Sequence, residues 1–483
     1  MRRSERHLRH LDVILLGLGA IALSGCATLD PWRQMSRAPA SPSSAYVGPG
    51  APADEAETAS SLLDELKHDS LTLAQCIWLA LKRNPRTAGS WQTARAAAAR
   101  AGQTRSAYFP AVGFVSGASR GDPAELDGKA DTGPQNTFDA LFGVRWLLFD
   151  GGGRDARARG ADADLLAANF RHNTVLQDVA LAVAEGYYDL LAAQRFRDLA
   201  VETVRQREYH VRIADARHKA GLVARSDVLR AETEKADADL ALVQAENAVR
   251  LARGRLASAM GHRVSEPLEV ADIPEDAHRQ ELEDVEALLD EAARSRPELQ
   301  AALAQVEAQR AGVKEAEARF WPAVSLGADA SWAGRTFFPG QGQWGLGLDL
   351  DAALFTGFDR TYQSHRAKAD LARAVADRRN VLGGVELEVW TAYWQTIESS
   401  QAIEAASRFV ASAEESARVA EGEYKNGTGS ILGLIDAQTA RTAARTRLIR
   451  ARLDWHTAMA RFERAVGRTI AASEVIAKEK VKP

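Results

Sequence analysis

All fifteen prolines of this 483-residue chain fall outside two blocks, residues 154–261 and 360–467, each 108 residues long. A proline inside a helix costs about 3 kcal/mol, so two such blocks predict long uninterrupted helices. One glycine-centred break divides each block, at Lys219-Ala220-Gly221-Leu222 and at Lys425-Asn426-Gly427-Thr428-Gly429-Ser430. Gly and Asn suit a helix C-terminus, and Ser226 or Ser430 can cap the helix that follows. The long helices are therefore predicted over 154–218 and 360–424. At 1.5 Å per residue each would run roughly 97 Å. A shorter helix follows each one, and another precedes each, near 72–107 and 284–319. Pairs of short helices stacked end to end beside the long ones would make an elongated helical tube.

The two blocks belong to two copies of one unit. Asn84-Pro85 matches Arg296-Pro297, and Tyr108-Phe109-Pro110-Ala111-Val112 matches Phe320-Trp321-Pro322-Ala323-Val324, both at an offset of 212. The offset then becomes 206. Leu148-Phe149-Asp150-Gly151 matches Leu354-Phe355-Thr356-Gly357, Tyr187-Tyr188 matches Tyr393-Trp394, Gly221 matches Gly427, and Gly261 matches Gly467. A period this long is a duplicated domain, with one loop length differing between the copies. The first repeat is assigned to 62–270 and the second to 271–470, with a tail over 471–483.

Between the short and long helices the period changes from helical to twofold. Phe138, Ala140, Phe142, Val144, Trp146 and Leu148 alternate with more polar residues, as do Trp344, Leu346, Leu348, Leu350, Ala352 and Leu354. Weaker alternation follows Pro110 and Pro322. Strands are predicted at about 110–119, 138–149, 322–333 and 343–355. Alternation over about ten residues is the pattern of a transmembrane β-barrel strand; an ordinary half-buried sheet is the competing reading. In the barrel reading Trp146, Trp344, Leu346 and Leu348 face lipid, and Asp349, Asp351 and Arg145 face the lumen. Four strands cannot close a barrel, and open edges are not viable in lipid. Two copies would give eight strands, nearly filled by side chains. Three would give twelve and an aqueous lumen, so a conduit predicts a homotrimer.

The N-terminus reads as an address. Arg2, Arg3, Arg6 and Arg9 precede an apolar stretch from Val13 to Leu23, too short to span a bilayer. It ends in Leu23-Ser24-Gly25-Cys26, which looks like a lipobox: a signal over 1–25, cleaved before an acylated Cys26. Ala27, where an Asp would favour the inner membrane, directs the product to the outer membrane. Residues 26–61, with Pro31, Pro39, Pro42, Pro49 and Pro52, are predicted to form an extended lipidated tether unable to order itself.

Composition excludes several classes. A net charge of −4 lacks the basic domain of a nucleic-acid binder. Charged residues at 26% with a mean hydropathy of −0.27 exclude a polytopic helical membrane protein. Two cysteines exclude a disulfide framework, and Cys76 reads as a small buried residue on a helix. Alanine, about a fifth of the chain, favours closely packed helices. Gly117-Ala118-Ser119-Arg120-Gly121 matches the hydrolase elbow pattern, but in a strand-end loop rather than a strand-to-helix turn. Gly151-Gly152-Gly153-Arg154 precedes a helix without phosphate-loop spacing and reads as a bend. The ten histidines have no metal spacing. No enzyme activity and no cofactor are expected.

The duplicated helix–strand–strand–helix unit, the Asn-Pro and aromatic-Pro sites and the two hairpin tips together resemble the TolC family of outer-membrane channels, in its lipidated branch typified by OprM. The tips read Gly221-Leu222-Val223-Ala224-Arg225-Ser226-Asp227-Val228-Leu229 and Tyr424-Lys425-Asn426-Gly427-Thr428-Gly429-Ser430-Ile431-Leu432-Gly433-Leu434-Ile435-Asp436-Ala437. The resemblance covers about 70–470. It implies a mainly α fold with a twelve-stranded barrel completed by a trimer, and a helical tunnel across the periplasm. It further implies a passive conduit for efflux or type I secretion, working with a periplasmic adaptor and an inner-membrane pump of RND or ABC type. Gating would occur at the tips, where Asp436, Tyr424 and Asp227 fall on family positions. Gly433 stands where TolC has a second Asp, and Gly429 where it has an Arg. That halves a double acidic ring and removes a gating salt bridge. Three copies of Asp436 around one axis would favour cations and resist complete closure. A lipid-anchored periplasmic coiled-coil adaptor or scaffold is the alternative; it shares the long helices but needs no paired strands.

Overall fold

The computed structural model describes residues 34–48, 70–121, 134–265, 268–273, 283–336 and 340–470. Cys26 and its signal lie outside the described residues. Each half of the chain runs helix, helix, strand, strand, helix, helix. The first half holds α1 (Leu73–Arg83), α2 (Pro85–Arg105), β1 (Ala111–Gly121), β2 (Gln135–Phe149), α3 (Gly153–Lys219) and α4 (Arg225–Ala259). The second holds α5 (Val285–Ser295), α6 (Pro297–Ala318), β3 (Ala323–Gly334), β4 (Gln341–Asp351), α7 (Asp359–Asn426) and α8 (Ile431–Val466). The long helices α3 and α7 have 67 and 68 residues.

The single short helix expected at 72–107 is two helices, and so is its counterpart at 284–319. Asn84 and Arg296 have ψ of 127° and 121°, the extended backbone that a following proline imposes. Each proline then starts the next helix, where its missing N–H costs nothing. The break is stitched differently in the two halves. Asn84 Nδ2 donates to the Ala259 carbonyl at 2.7 Å, and its Oδ1 accepts from Arg86 N at 2.8 Å. Arg296, 2% exposed, donates to the Ala465 carbonyl at 2.9 Å and to the Glu298 and Glu388 carboxylates. Burial pushes the Glu298 carboxyl up, but its bond to Arg296 and the Arg296 and Arg464 charges hold it below the usual range.

The four strands form one antiparallel sheet in the order β1-β2-β3-β4. Strand β4 stops at Asp351, short of the expected 355, because Asp351 pairs with Ala323, the first residue of β3. Beyond it Ala352 and Leu354 have no partner strand. The Ser119 motif lies wholly inside β1, not in a loop at its end.

The chain divides into two compact units. One holds Thr93–Asn169 and Ala302–Asp377 with the chain up to Ala40, and therefore the whole sheet. Its helical core is nearly all alanine: Ala94, Ala98 and Ala101 pack with Ala38, Ala161 and Leu165, so the alanine excess serves close helix approach. The other unit holds Ser41–Gln92, Phe170–Ala301 and the chain from Arg378 on. Its cores gather Cys76, Val183, Tyr187 and Leu256 in one cluster and Leu288, Val389, Trp455 and Phe462 in another. The Cys76 side chain is fully buried, as its place on a helix predicted.

Residues 34–48 are docked, against the expectation of an unordered tether. In the first unit Arg37 pairs with Asp162 at 2.5 Å, and its carbonyl accepts from Asn169 at 2.9 Å. In the second, the Tyr46 backbone exchanges two hydrogen bonds with the Asn173 amide. Backbone groups satisfied by Asn side chains, with Ala38 buried and the Tyr46 ring edge-on to Phe170, order the segment.

Candidate functional site

Among the described residues no helix is long and apolar enough to cross a membrane. The sheet behaves differently. Register sorts its side chains into two faces: Trp146 pairs with Leu326 and Leu326 with Leu348, so these share a face with Trp344 and Leu346. Arg145 pairs with Gly327, and Asp349 with Ser325, which puts Arg145, Asp349 and Asp351 on the other face. Among the described residues β1 and β4 are exposed almost throughout and β3 is half-buried between its neighbours. Val112, Phe114, Trp344, Leu346, Leu348 and Leu350 are all 62–75% exposed. The Trp146 indole N–H donates to the Tyr108 carbonyl at 2.9 Å, an amphipathic ring with its polar end satisfied.

The polar face carries two further acids, Asp139 and Asp329, that pattern reading left as mere alternation partners. Each of three acids lies beside a glycine on the neighbouring strand. A Cβ on Gly117 would stand 2.8 Å from Asp139 Oδ1, one on Gly345 2.9 Å from Asp329 Oδ1, and one on Gly327 3.6 Å from Asp349 Oδ2. The glycines therefore leave room for the carboxylates to lie along the wall. Only a strand register reveals this pairing, since Gly117 and Asp139 are not periodic neighbours in sequence.

The helical hairpins end in two tips. In the first, Gly221 has φ +73° and Leu222 N bonds back to the Arg217 carbonyl at 2.9 Å. In the second, Gly427 has φ +81° and Thr428 N bonds to the Glu423 carbonyl at 3.0 Å. Of the two serines expected as caps, only Ser430 acts, its Oγ accepting from Gly433 N at 3.1 Å. Helix α4 starts at Arg225 on an uncapped Ala224, so Ser226 already lies inside its first turn.

Tyr424 is 2% exposed, in a small core with Ile431, Leu434 and Ile435. Arg217 of α3 covers its ring at 4.7 Å and donates to its carbonyl. The Tyr424 hydroxyl is buried with no hydrogen-bond partner among the described residues. Burial pushes its pKa up and the Asp227 charge adds to this, while Arg217 opposes. Tyr424 and Arg217 are thus in contact, while Asp227 is linked to them only through its charge. Asp436 is exposed, on the face of α8 away from Leu434, Ile435 and Gln438. It lies in the second turn of its helix, beyond the first-turn position where an acid gains from the helix dipole.

Above the tip, α8 is clamped to α3 by residues that no motif announces. Arg207 donates to Gln438 Oε1 at 3.2 Å and Thr439 Oγ1 at 3.3 Å, and pairs with Glu234 of α4 at 3.5 Å. His210 meets the other end of the Gln438 amide at 2.5 Å. Arg441 donates to Gln206, and Arg445 to Glu202 at 2.8 Å.

This geometry has relatives. The profile of the outer membrane efflux protein family matches residues 76–262 and 288–468, one stretch per repeat. Protein CyaE of Bordetella pertussis is 30% identical over 385 residues, covering 78% of this chain and 80% of that protein. The probable efflux pump outer membrane protein TtgC of Pseudomonas putida is 26% identical over 378 residues, 75% of this chain and 76% of its own length. The solved structure of the outer-membrane channel OprN shares the fold with a TM-score of 0.75 at 22% identity, over 82% of this chain and 90% of that one. An exposed two-faced sheet on a chain of long helices, matched in both repeats by one profile, has a single consistent reading: this chain belongs to the outer membrane efflux protein family, as a channel component of the outer membrane that extends into the periplasm.

Proposed function

We propose that three copies of this chain form a passive conduit, lipid-anchored through Cys26, that is gated at its periplasmic helix tips and receives cargo from an inner-membrane pump of RND or ABC type through a periplasmic adaptor. The observation that carries this reading is the sheet. Among the described residues its edges on β1 and β4 have no partner strand, and its apolar face is exposed. In lipid such edges must be closed. Pairing β4 of one copy with β1 of the next gives a twelve-stranded barrel, wide enough for water.

In that barrel Trp146, Trp344, Leu346 and Leu348 contact lipid. The lumen is lined by Asp139, Asp329, Asp349 and Asp351 against Arg145. Acids laid along the wall keep the bore open and give it a negative potential, which raises the local concentration of cations. At the tips, Tyr424 held under Arg217 near Asp227 keeps the second hairpin against the first, and Asp436 faces the axis. Adaptor or pump contact favours a splayed arrangement, a population shift between two states. The adaptor or scaffold alternative gives the apolar sheet face no role.

The test is single-channel recording from purified protein in planar bilayers. Discrete cation-preferring currents are expected, with the preference reduced by combined Asp139→Asn, Asp329→Asn and Asp349→Asn. A protein that assembles as a trimer and yields no discrete currents contradicts the conduit.

A further inference from the structure

Gln438 is 3% exposed and lies between two side chains of α3. Arg207 donates to its carbonyl oxygen, and its amide nitrogen meets His210 Nε2. Arg207 can only donate, so the orientation of the amide is set: oxygen towards Arg207, NH2 towards His210. A ring nitrogen facing an NH2 group must accept. His210 in this arrangement is therefore the neutral imidazole with its proton on Nδ1, a buried atom with no hydrogen-bond partner among the described residues. A protonated imidazole has two donors and no acceptor. Turning the amide over offers no escape, because its NH2 would then face the Arg207 guanidinium. The contact tolerates one protonation state of His210 only.

We propose that Arg207, Gln438 and His210 form a proton-released latch that holds α8 of the second hairpin against α3 of the first, so that protonation of His210 favours opening of the periplasmic end. The proposal rests on the reading of the helix tips as the gate. It differs from that reading in assigning the hold to a buried amide above the tip and in giving it a pH dependence.

The charged surroundings agree with the geometry. Burial, first, pushes His210 down to about 4; Glu421 of α7 opposes, while Arg207, Arg441 of α8 and Lys425 of α7 push the same way. The remaining ring neighbour, Tyr209, stands edge-on at 5.6 Å. In an opened arrangement bathed by water the ring returns towards about 6.5. Between these two values the open form holds a proton that the closed form does not. The open-to-closed ratio therefore rises as pH falls through this window, by up to about tenfold per pH unit per protomer, and levels off below it.

The experiment records open probability of the reconstituted protein in planar bilayers between about pH 7.5 and about pH 4.5, a span that enters the window from above and covers most of it. The wild-type chain is expected to open on the order of tenfold to hundredfold more at the acid end. His210→Gln keeps an acceptor oxygen for Gln438 and does not titrate, so its response is flat apart from that of the carboxylates. Gln438→Glu accepts from Arg207 and from a charged imidazole alike, so its response reverses and acid holds it shut. Wild type and His210→Gln share every carboxylate, so the difference in slope between these two belongs to His210. A flat wild-type response overturns the latch, whether or not the variants assemble; so does a wild-type slope that persists in His210→Gln. If pH has no effect while Tyr424→Ala opens the channel, the latch falls and the tip gate stands. If Tyr424→Ala is silent as well, the tip-gate reading falls with it.

Discussion

The two hairpin tips descend from one unit and share one backbone device, a glycine in left-handed conformation with the next amide bonded back into the helix end. They differ in everything built around it. Position for position at the 206-residue offset, Tyr424 stands opposite His218, Gly429 opposite Val223, and Ser430 opposite Ala224. The second tip has a buried aromatic, a close-approach glycine and a working N-cap. The first has a half-buried imidazole bonded to the Val223 carbonyl at 3.0 Å, an uncapped helix start and an exposed Leu222. The second tip therefore has a small core of its own, closed over by Arg217 of the first hairpin. On the proposed gating, the duplicated scaffold places its moving part in this copy alone.

This comparison can be broken at each of its three positions. The largest effect belongs to Tyr424→Ala, which empties the tip core and should lower local stability by about 3–4 kcal/mol. It is read as lost hydrogen-exchange protection of the Thr428 and Gly429 amides, both bonded to the Glu423 carbonyl. His218→Ala should change its own tip by under about 1 kcal/mol, as a partly exposed substitution. Next comes Gly429→Ala. A Cβ there would stand 2.9 Å from Glu423 Cβ, so a cost of about 1–3 kcal/mol is expected, whereas Val223→Ala in the first tip should be nearly neutral. Unchanged protection in Gly429→Ala would mean that the second turn is not closely packed. The smallest is the cap: Ser430→Ala should cost about 1 kcal/mol, and Ala224→Ser should add a few tenths to the first tip. Thermal unfolding measures both, with exchange at Gly433 N reading the second cap and at Asp227 N the first.

The long helices were legible to within one or two residues at each end, because proline and glycine act locally. The period-2 strands were legible for the same reason, and β4 was overextended only because a strand ends where its partner does, at Ala323. Asn84 and Arg296 were misread as helix interior although a proline followed each one; helical pattern on both sides outweighed the local rule. The docking of residues 34–48 depends on Asn169 and Asn173, more than a hundred residues away, and composition alone pointed to disorder. The site divides likewise. Alternation located Arg145, Asp349 and the tryptophans, and the tips were marked by their glycines. Arg207, His210 and Gln438 were invisible: each is one polar residue on a long helix, and the partners lie 228 and 231 residues apart. Hydrogen bonds across such distances follow from helix packing and leave no spacing to read.

The central claim is a gated conduit whose moving part is the second tip. It is tested most directly by recording Tyr424→Ala and His218→Ala side by side in planar bilayers at neutral pH. The account predicts a channel that stands open at rest in Tyr424→Ala and remains closed in His218→Ala. Equal behaviour of the two, or opening by His218→Ala alone, would contradict it.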